Sequence, residues 1–322
     1  VWAQVEKDFS EAIPDLPARY AAADLGRATS GAARAFLAQA FLWQKKHASA
    51  LPLLDEVVKS GVFSLRPTYV DLFLEANDYN AEVVFAVGFR DNGTGNFSAS
   101  NENAMFSKYV GVRGTGNQIH APTGQPGFGF LMATDKYLAV YEPGDKRRDV
   151  TVWELGKLSP ATGRPYSAQA TGANGRYRTD VAPMKWWWNN QGYLGNIGLD
   201  FPLIRYADVL LLHAETLNEL SGPTAAAYAP INLVRKRAGL PDLKPGLTKS
   251  EFFGAVLKER AAEFGFECVR WWDLARTRTA EQAFKGAEGK AAFDPKKHYH
   301  WPLPLQALER NPALKQNPAY GG

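Results

Sequence analysis

The chain of 322 residues holds one cysteine, Cys268, so no internal disulfide is available and packing and charge must hold the core. Cys268 lies in an aromatic-rich stretch between Phe266 and Trp271, and the sequence reads it as a buried, unreactive thiol. No apolar run approaches the roughly 20 residues of a membrane-spanning helix. Neither sign of charge dominates: 37 Lys+Arg against 33 Asp+Glu leave a net +4, and the scattering of the basic residues argues against nucleic-acid binding. The opening VWAQVEKDF is amphipathic, unlike the charged-then-apolar pattern of a signal peptide. Local signatures are also missing: there is no G-x-S-x-G, no phosphate-cradling G-x-x-x-x-G-K and no dinucleotide fingerprint.

Metal and acid–base chemistry find little to use. Of the five histidines, His47, His120, His213, His298 and His300, only the HYH of 298–300 brings two together, and no acidic residue or cysteine nearby completes a ligand set. Asp78, Asn80 and Glu82 mimic the start of a calcium loop but lack its turn glycine, so no metal and no cofactor is expected. Glu259 and Glu263 share a helical face, yet neighbouring arginines make ion pairs the better account than a glycosidase pair. Asp208 and Asp273 read as structural in the same way.

What the chain has is hydrophobic content of 45%, aromatic content of 12% and nine Trp, enough for a sizeable core. Trp2, Val5, Phe9, Ile13 and Leu16 mark a first helix ended by Pro17. Thr29 caps a second bearing Ala33, Leu37, Ala40 and Phe41, and Leu51, Leu54, Val57 and Val58 mark its partner before Gly61. In EVVFAV, Val83, Phe85 and Val87 alternate on one face and read as a short strand. Residues 91–130 and 158–176 are rich in Gly, Asn, Ser, Thr and Pro and read as long loops. Between them, TDKYLAVYEPGDKRRD predicts a helix to Tyr141 and a turn fixed by Asp145, Arg147 and Arg148. The stretch from Lys285 onward reads as ordered coil.

The longest helical patterns lie between Leu203 and Arg276. Tyr206, Leu210, Ala214 and Leu217 recur at helical spacing with Arg205, Asp208, Glu215 and Glu219 opposite, which predicts an amphipathic helix from Leu203. Ile231, Val234 and Ala238 form a second, antiparallel to it, stopped by Gly239 and Pro241. Thr248 and Glu251 make a capping box ahead of the stripe Phe253, Val256, Leu257, Ala261 and Phe264. Glu259, Arg260, Glu263, Glu267 and Arg270 crowd against large apolar residues, so several must be buried and paired with one another or with Asp273 and Arg276. Trp271 and Trp272 read as core.

The strings RYADVLLLHAE, INLVRKRAGLP, ER-x-x-E-F-x-F-E-x-x-RWWDLAR and NPALKQNPAY, in this order, resemble those of the SusD/RagB family of Bacteroidetes surface glycan-binding lipoproteins. GRATSGAARAFLAQAFL and the YEPGD turn fit the same family. Cys268 replaces the usual Gly, implying tighter local packing, and Ala319 replaces the Gly before the last Tyr. The resemblance implies a single, predominantly α-helical SusD-like domain over residues 1–322, built of tetratricopeptide-like helical pairs with long irregular loops and a few short strands. It implies that a lipoprotein signal, an anchoring cysteine and further helices precede Val1. It also implies an outward-facing protein of the outer membrane, anchored only by lipid. Such a protein binds oligosaccharide or polysaccharide without turnover and hands it to a SusC-like TonB-dependent transporter.

The expected sugar platform is the run Trp186, Trp187 and Trp188 with Asn189, Asn190 and Tyr193, joined by the loop aromatics Phe97, Phe106, Tyr109 and Phe128. An extended run of three Trp cannot bury all its rings in one core, and an indole beside amides offers a stacking face and hydrogen bonds to hydroxyls. The competing reading packs these tryptophans against neighbouring elements. A helical-repeat scaffold for a protein or peptide partner is the second functional class, and a glycoside hydrolase the third.

Overall fold

The structure, a computed structural model, describes residues 1–89, 131, 133–154, 181–186, 198–285 and 293–321. In chain order its helices are α1 (Trp2–Asp15), α2 (Ser30–Trp43), α3 (His47–Lys59), α4 (Asp135–Leu138), α5 (Arg147–Thr151), α6 (Tyr206–Ser221), α7 (Ala225–Arg237), α8 (Lys249–Glu263), α9 (Arg270–Thr277), α10 (Ala280–Phe284) and α11 (Leu305–Arg310). The strands are β1 (Val83–Val87), β2 (Val152–Glu154), β3 (Val181–Pro183) and β4 (Phe201–Arg205). They form two antiparallel ribbons, β1 with β4 and β2 with β3.

Two compact units emerge, Val1–Glu267 and Cys268–Gly322. The first is a stack of helical pairs. Thr29 caps α2 by accepting the Ala32 N–H at 3.1 Å, and the buried small residues Ala32, Ala33, Ala35, Ala38 and Ala40 let α1 and α3 approach its backbone. α3 packs in turn on α6, joined by His213 Nε2 and Asp55 Oδ1 at 2.8 Å. α6 starts at Tyr206, because Leu203–Arg205 complete β4. Nor is α6 amphipathic: every residue from Tyr206 to Thr216 is buried, and Asp208 is matched inside by Arg260 at 2.6 Å and Gln39 at 2.8 Å.

α8 has the expected capping box, Thr248 N–H donating to Glu251 Oε2 at 2.8 Å while Glu251 N–H donates to Thr248 Oγ1 at 3.2 Å. Its leading aromatic inside the core is Phe252, not Phe253. β1 forms as expected, with Val83, Phe85 and Val87 on one face, and it is the other face, with Val84 and Ala86, that is buried. The cause is Glu82, fully buried one residue before the strand, which draws the even-numbered side chains inward.

The charges of α8 are buried as the sequence implies, but their partners come from other elements. Arg205, at the end of β4, donates to Glu82 Oε1 at 2.7 Å, to Glu263 Oε1 at 2.9 Å, and to both Glu267 oxygens at 2.9 Å. Arg237 reaches the same Glu263 oxygen at 2.5 Å and Glu82 at 3.2 Å. Arg147 spans Asp145 at 2.7 Å, Glu259 at 2.6 Å and Glu263 at 3.1 Å, and with Asp145 it fixes the turn beside Gly144. Arg148 turns instead to Glu154. Burial alone would raise the Glu263 carboxyl, yet Arg237, Arg205 and Arg147 hold it far below its ordinary range. Its ion pairs therefore stabilise the fold fully above that range, and the stabilisation is lost as pH falls from it toward the depressed folded value.

The second unit gathers Trp271, Phe284, Phe293 and Tyr299 into an aromatic cluster, with Phe293 edge-on to Tyr299 at 5.0 Å. Within it Asp273 is buried beside Arg276 at 3.4 Å. Trp272, expected in the core, is 57% exposed, and Arg270 is exposed as well. The C-terminal stretch, expected as coil, includes α11. Cys268 overturns its expectation. It is exposed, and its φ of +62° is a left-handed conformation that a residue without Cβ adopts most easily, so the cysteine strains the backbone rather than tightening the packing.

Two outcomes follow. Arg205→Ala takes a buried cation from Glu82, Glu263 and Glu267 at once, leaving Arg237, Arg147 and Lys185 to hold them, and costs about 3–5 kcal/mol in chemical denaturation, whereas Arg270→Ala stays within about 1 kcal/mol of wild type; equal effects would place the two arginines in the same environment. Cys268 reacts with a thiol reagent in the native protein about as fast as after denaturation, and Cys268→Gly gains about 1 kcal/mol; slow native labelling would return the thiol to the interior.

Candidate functional site

The ribbons position the site. β3 ends at Pro183, and the chain turns rather than extends through Lys185 and Trp186. Lys185 is fully buried: Nζ donates to Glu263 O and Glu267 Oε1, both at 2.7 Å, and lies 5.1 Å from the ring centres of Tyr69 and Phe73. Burial lowers its pKa to about 8, against the pull of Glu267. Trp186, expected on the sugar platform, is 3% exposed. Its Nε1 donates to Phe266 O at 2.9 Å and its ring stacks on Phe201 at 5.1 Å. With both the polar edge and a face occupied inside the protein, Trp186 is a packing residue, which corrects that part of the reading. Trp187, Trp188, Asn189, Asn190, Tyr193, Phe97, Phe106, Tyr109 and Phe128 lie outside the described residues.

The described residues do show where the segments bearing these side chains are rooted. Trp186 and Leu199 form one apolar cluster with Phe89 and Phe201. The chain therefore leaves toward residue 90 and toward residue 187 from a single patch, and returns to it at Leu199.

Beside this patch stands a carboxyl pair that the sequence does not reveal. Asp200 Oδ1 accepts the Phe89 N–H at 2.9 Å, and Asp78 Oδ1 accepts the Asp200 N–H at 3.3 Å. Burial, then the neighbouring Asp200 charge, push Asp78 up to about 7, and burial raises Asp200 as well. The three residues that mimic a calcium loop are split up: Asp78 joins Asp200, Asn80 Oδ1 accepts the Glu82 N–H at 2.9 Å, and Glu82 belongs to the ion network. Among the described residues no group of three His, Cys, Asp or Glu is placed to hold a metal. His298 and His300 lie in a turn in which His298 Nδ1 accepts the Asp294 N–H at 2.8 Å, so the strand face imagined for them does not exist.

Tyr79, next to Asp78, has a φ of +56°. A Cβ on Gly26 would lie 2.9 Å from its Cε1, and one on Gly88 2.8 Å from its hydroxyl, so glycine at both positions is what admits the ring. The hydroxyl faces Asp200. Tyr79 walls a groove of about 270 Å³ whose lining includes Arg19, Tyr20, Arg27, Phe63 and Phe85. No periodicity signals this groove, because its walls come from a connection, a helix end and a strand.

The first unit is a stack of helical hairpins with two small ribbons, from whose ends the chain runs out of the described residues. The chain belongs to the SusD family, whose model matches residues 81–320. SusD-like protein P25 of Formosa agariphila is 27% identical across 98% of this chain and 63% of that protein. SusD-like protein P2 of the same organism is 35% identical over 40% of this chain and 28% of its own length. The chain thus spans less than two thirds of either curated relative. Among solved structures, a laminarin-binding SusD-like protein matches with a TM-score of 0.80 at 26% identity, over 99% of this chain and 68% of that one. Surface glycan-binding protein A from Bacteroides thetaiotaomicron, solved with laminarihexaose, shares the fold at a TM-score of 0.78 and 22% identity, over 98% of this chain and 70% of that one.

The carboxyl pair makes a prediction about pH. A carboxyl raised on folding opposes folding progressively as pH climbs from its unfolded value to its folded one. Asp78→Asn keeps the acceptor for Asp200 N–H and removes the charge, so its gain in melting temperature is larger at pH 8 than at pH 5. Equal gains at the two pH values would mean that Asp78 titrates normally.

Proposed function

We propose that this chain is the larger part of a cell-surface glycan-binding protein that captures oligosaccharide without cleaving it and passes it to a SusC-like TonB-dependent transporter. The carrying observation is the shared root of the two aromatic segments. Phe89 and Trp186 lie in one cluster, so residues 90–130 and 187–197 start from the same patch of a rigid core. Phe97, Phe106, Tyr109, Phe128, Trp187, Trp188, Asn189, Asn190 and Tyr193 then supply stacking faces and amide hydrogen bonds. Family membership supports the reading, as does the match at 26% identity to a laminarin-binding relative. Binding without turnover fits the carboxylates: Glu259, Glu263 and Asp208 are each tied to a buried arginine. Among the described residues no helix is long and apolar enough to cross a membrane, and attachment to the outer membrane would come from a lipid anchor in the rest of the protein.

Isothermal titration with laminarihexaose and a panel of other neutral oligosaccharides tests this. Binding without product release is expected, and Trp187→Ala or Trp188→Ala should lose more than about tenfold in affinity, about 1.4 kcal/mol or more, with little change in melting temperature. Trp186→Ala should instead destabilise the fold. Absence of binding to any sugar, or release of shorter products, would sink the reading.

A further inference from the structure

The groove beside Tyr79 is separate from the patch formed by Phe89, Trp186, Leu199 and Phe201, none of which lines it. Its volume, about 270 Å³, is slightly below the roughly 300–1,000 Å³ of sites for drug-sized ligands, which suits a single ring better than a long oligomer. Its chemistry is unusually one-sided. The lining is largely apolar and aromatic, and among the described residues the charged side chains in it are Arg19 and Arg27, both exposed, while Asp24 and Asp200 touch Arg27 and Tyr79 without lining it.

Tyr79 is built as a fixed wall. Its positive φ, the two glycines that admit its ring and the carboxylate facing its hydroxyl all constrain it, yet the residue is 39% exposed. A ring needed only for packing would be covered, whereas one held so closely and left open presents a preorganised stacking face. The two guanidinium groups keep donors to spare. Arg19 Nη2 donates to Val62 O at 2.6 Å, and Arg27 meets Asp24 through Nε at 2.8 Å, which leaves the Arg27 terminal nitrogens for a ligand.

We propose that this groove is a second sugar subsite, selective for an anionic sugar unit that stacks on Tyr79 while Arg19 and Arg27 engage its carboxylate or sulfate. It rests on the glycan-binding reading but uses different residues, so the two can fail separately.

The test is calorimetric titration of the wild-type chain, Tyr79→Ala and the double variant Arg19→Gln/Arg27→Gln with three probes: digalacturonic acid, a sulfated disaccharide and laminarihexaose. At least one anionic probe should bind the wild type with an affinity that falls as salt rises, the arm that binds identifying carboxylate or sulfate. The double variant, which alters only exposed side chains, should lose at least tenfold for that probe while its melting temperature and its binding of laminarihexaose stay unchanged. Tyr79→Ala should lose the same anionic binding. Failure of both anionic probes to bind, or their undiminished binding to the double variant, overturns the subsite. Laminarihexaose binding in that event would leave the primary reading standing, and binding by the anionic probe alone would support the subsite without the neutral platform.

Discussion

A fully buried Glu263 carboxylate, held by Arg147, Arg205 and Arg237, is the constraint around which the first unit is arranged. Removing a carboxylate from water costs several kcal/mol, and the cost is offset only where cations and hydrogen bonds are supplied at close range. Each supplier comes from a different element: Arg147 from α5, Arg205 from the end of β4 and Arg237 from α7. Glu267 extends the lattice to Lys185, and Glu82 extends it to the start of β1. The register of β1 against β4, the point where β4 yields to α6 and the turn after β3 are all set by the need to place these charges. An apolar core of the same volume would hold the helices together. It would not fix the ribbon ends with the same specificity, since dispersion has no preferred pairing.

What the sequence made legible was local. The caps Thr29 and Thr248 bond within three residues of themselves, so pattern and mechanism coincide there. The helical pairs were legible for the same reason. Charge misled the reading of α6, because Arg205, Asp208 and Glu215 look like a solvent face unless their partners are known, and Arg260, which neutralises Asp208, lies 52 residues away. Heading the α8 stripe with Phe253 rather than Phe252 was an error of phase by one residue, and which face of β1 turns inward was not legible at all, since distant surfaces rather than local periodicity settle both.

The candidate site was legible as composition and not as geometry. A run of three Trp announced an aromatic-rich place, but only the turn at Lys185 and the contact with Phe201 show that the first indole belongs to the core. Tyr79 carried no signal at all. Its importance comes from a left-handed backbone and from glycines 53 residues before it and nine after it. Cys268 shows the opposite case. The resemblance led to an expectation of Gly there, and the φ of +62° is a backbone conformation that glycine adopts without strain.

The lattice also has a kinetic side. Arg205 and Glu82 are 123 residues apart in sequence, Arg237 and Glu82 155, and Arg147 and Glu263 116. Loops of that length close slowly, and apart from Arg147 with Asp145 the network joins segments far apart in the chain. The helical hairpins can condense early from local contacts, but until α8 docks, Glu82, Arg147 and Arg205 have no complete set of partners and must stay hydrated. A chain emerging from its N-terminal end therefore waits for α8, which begins at Lys249, before the charges inside its first unit find their full set of partners.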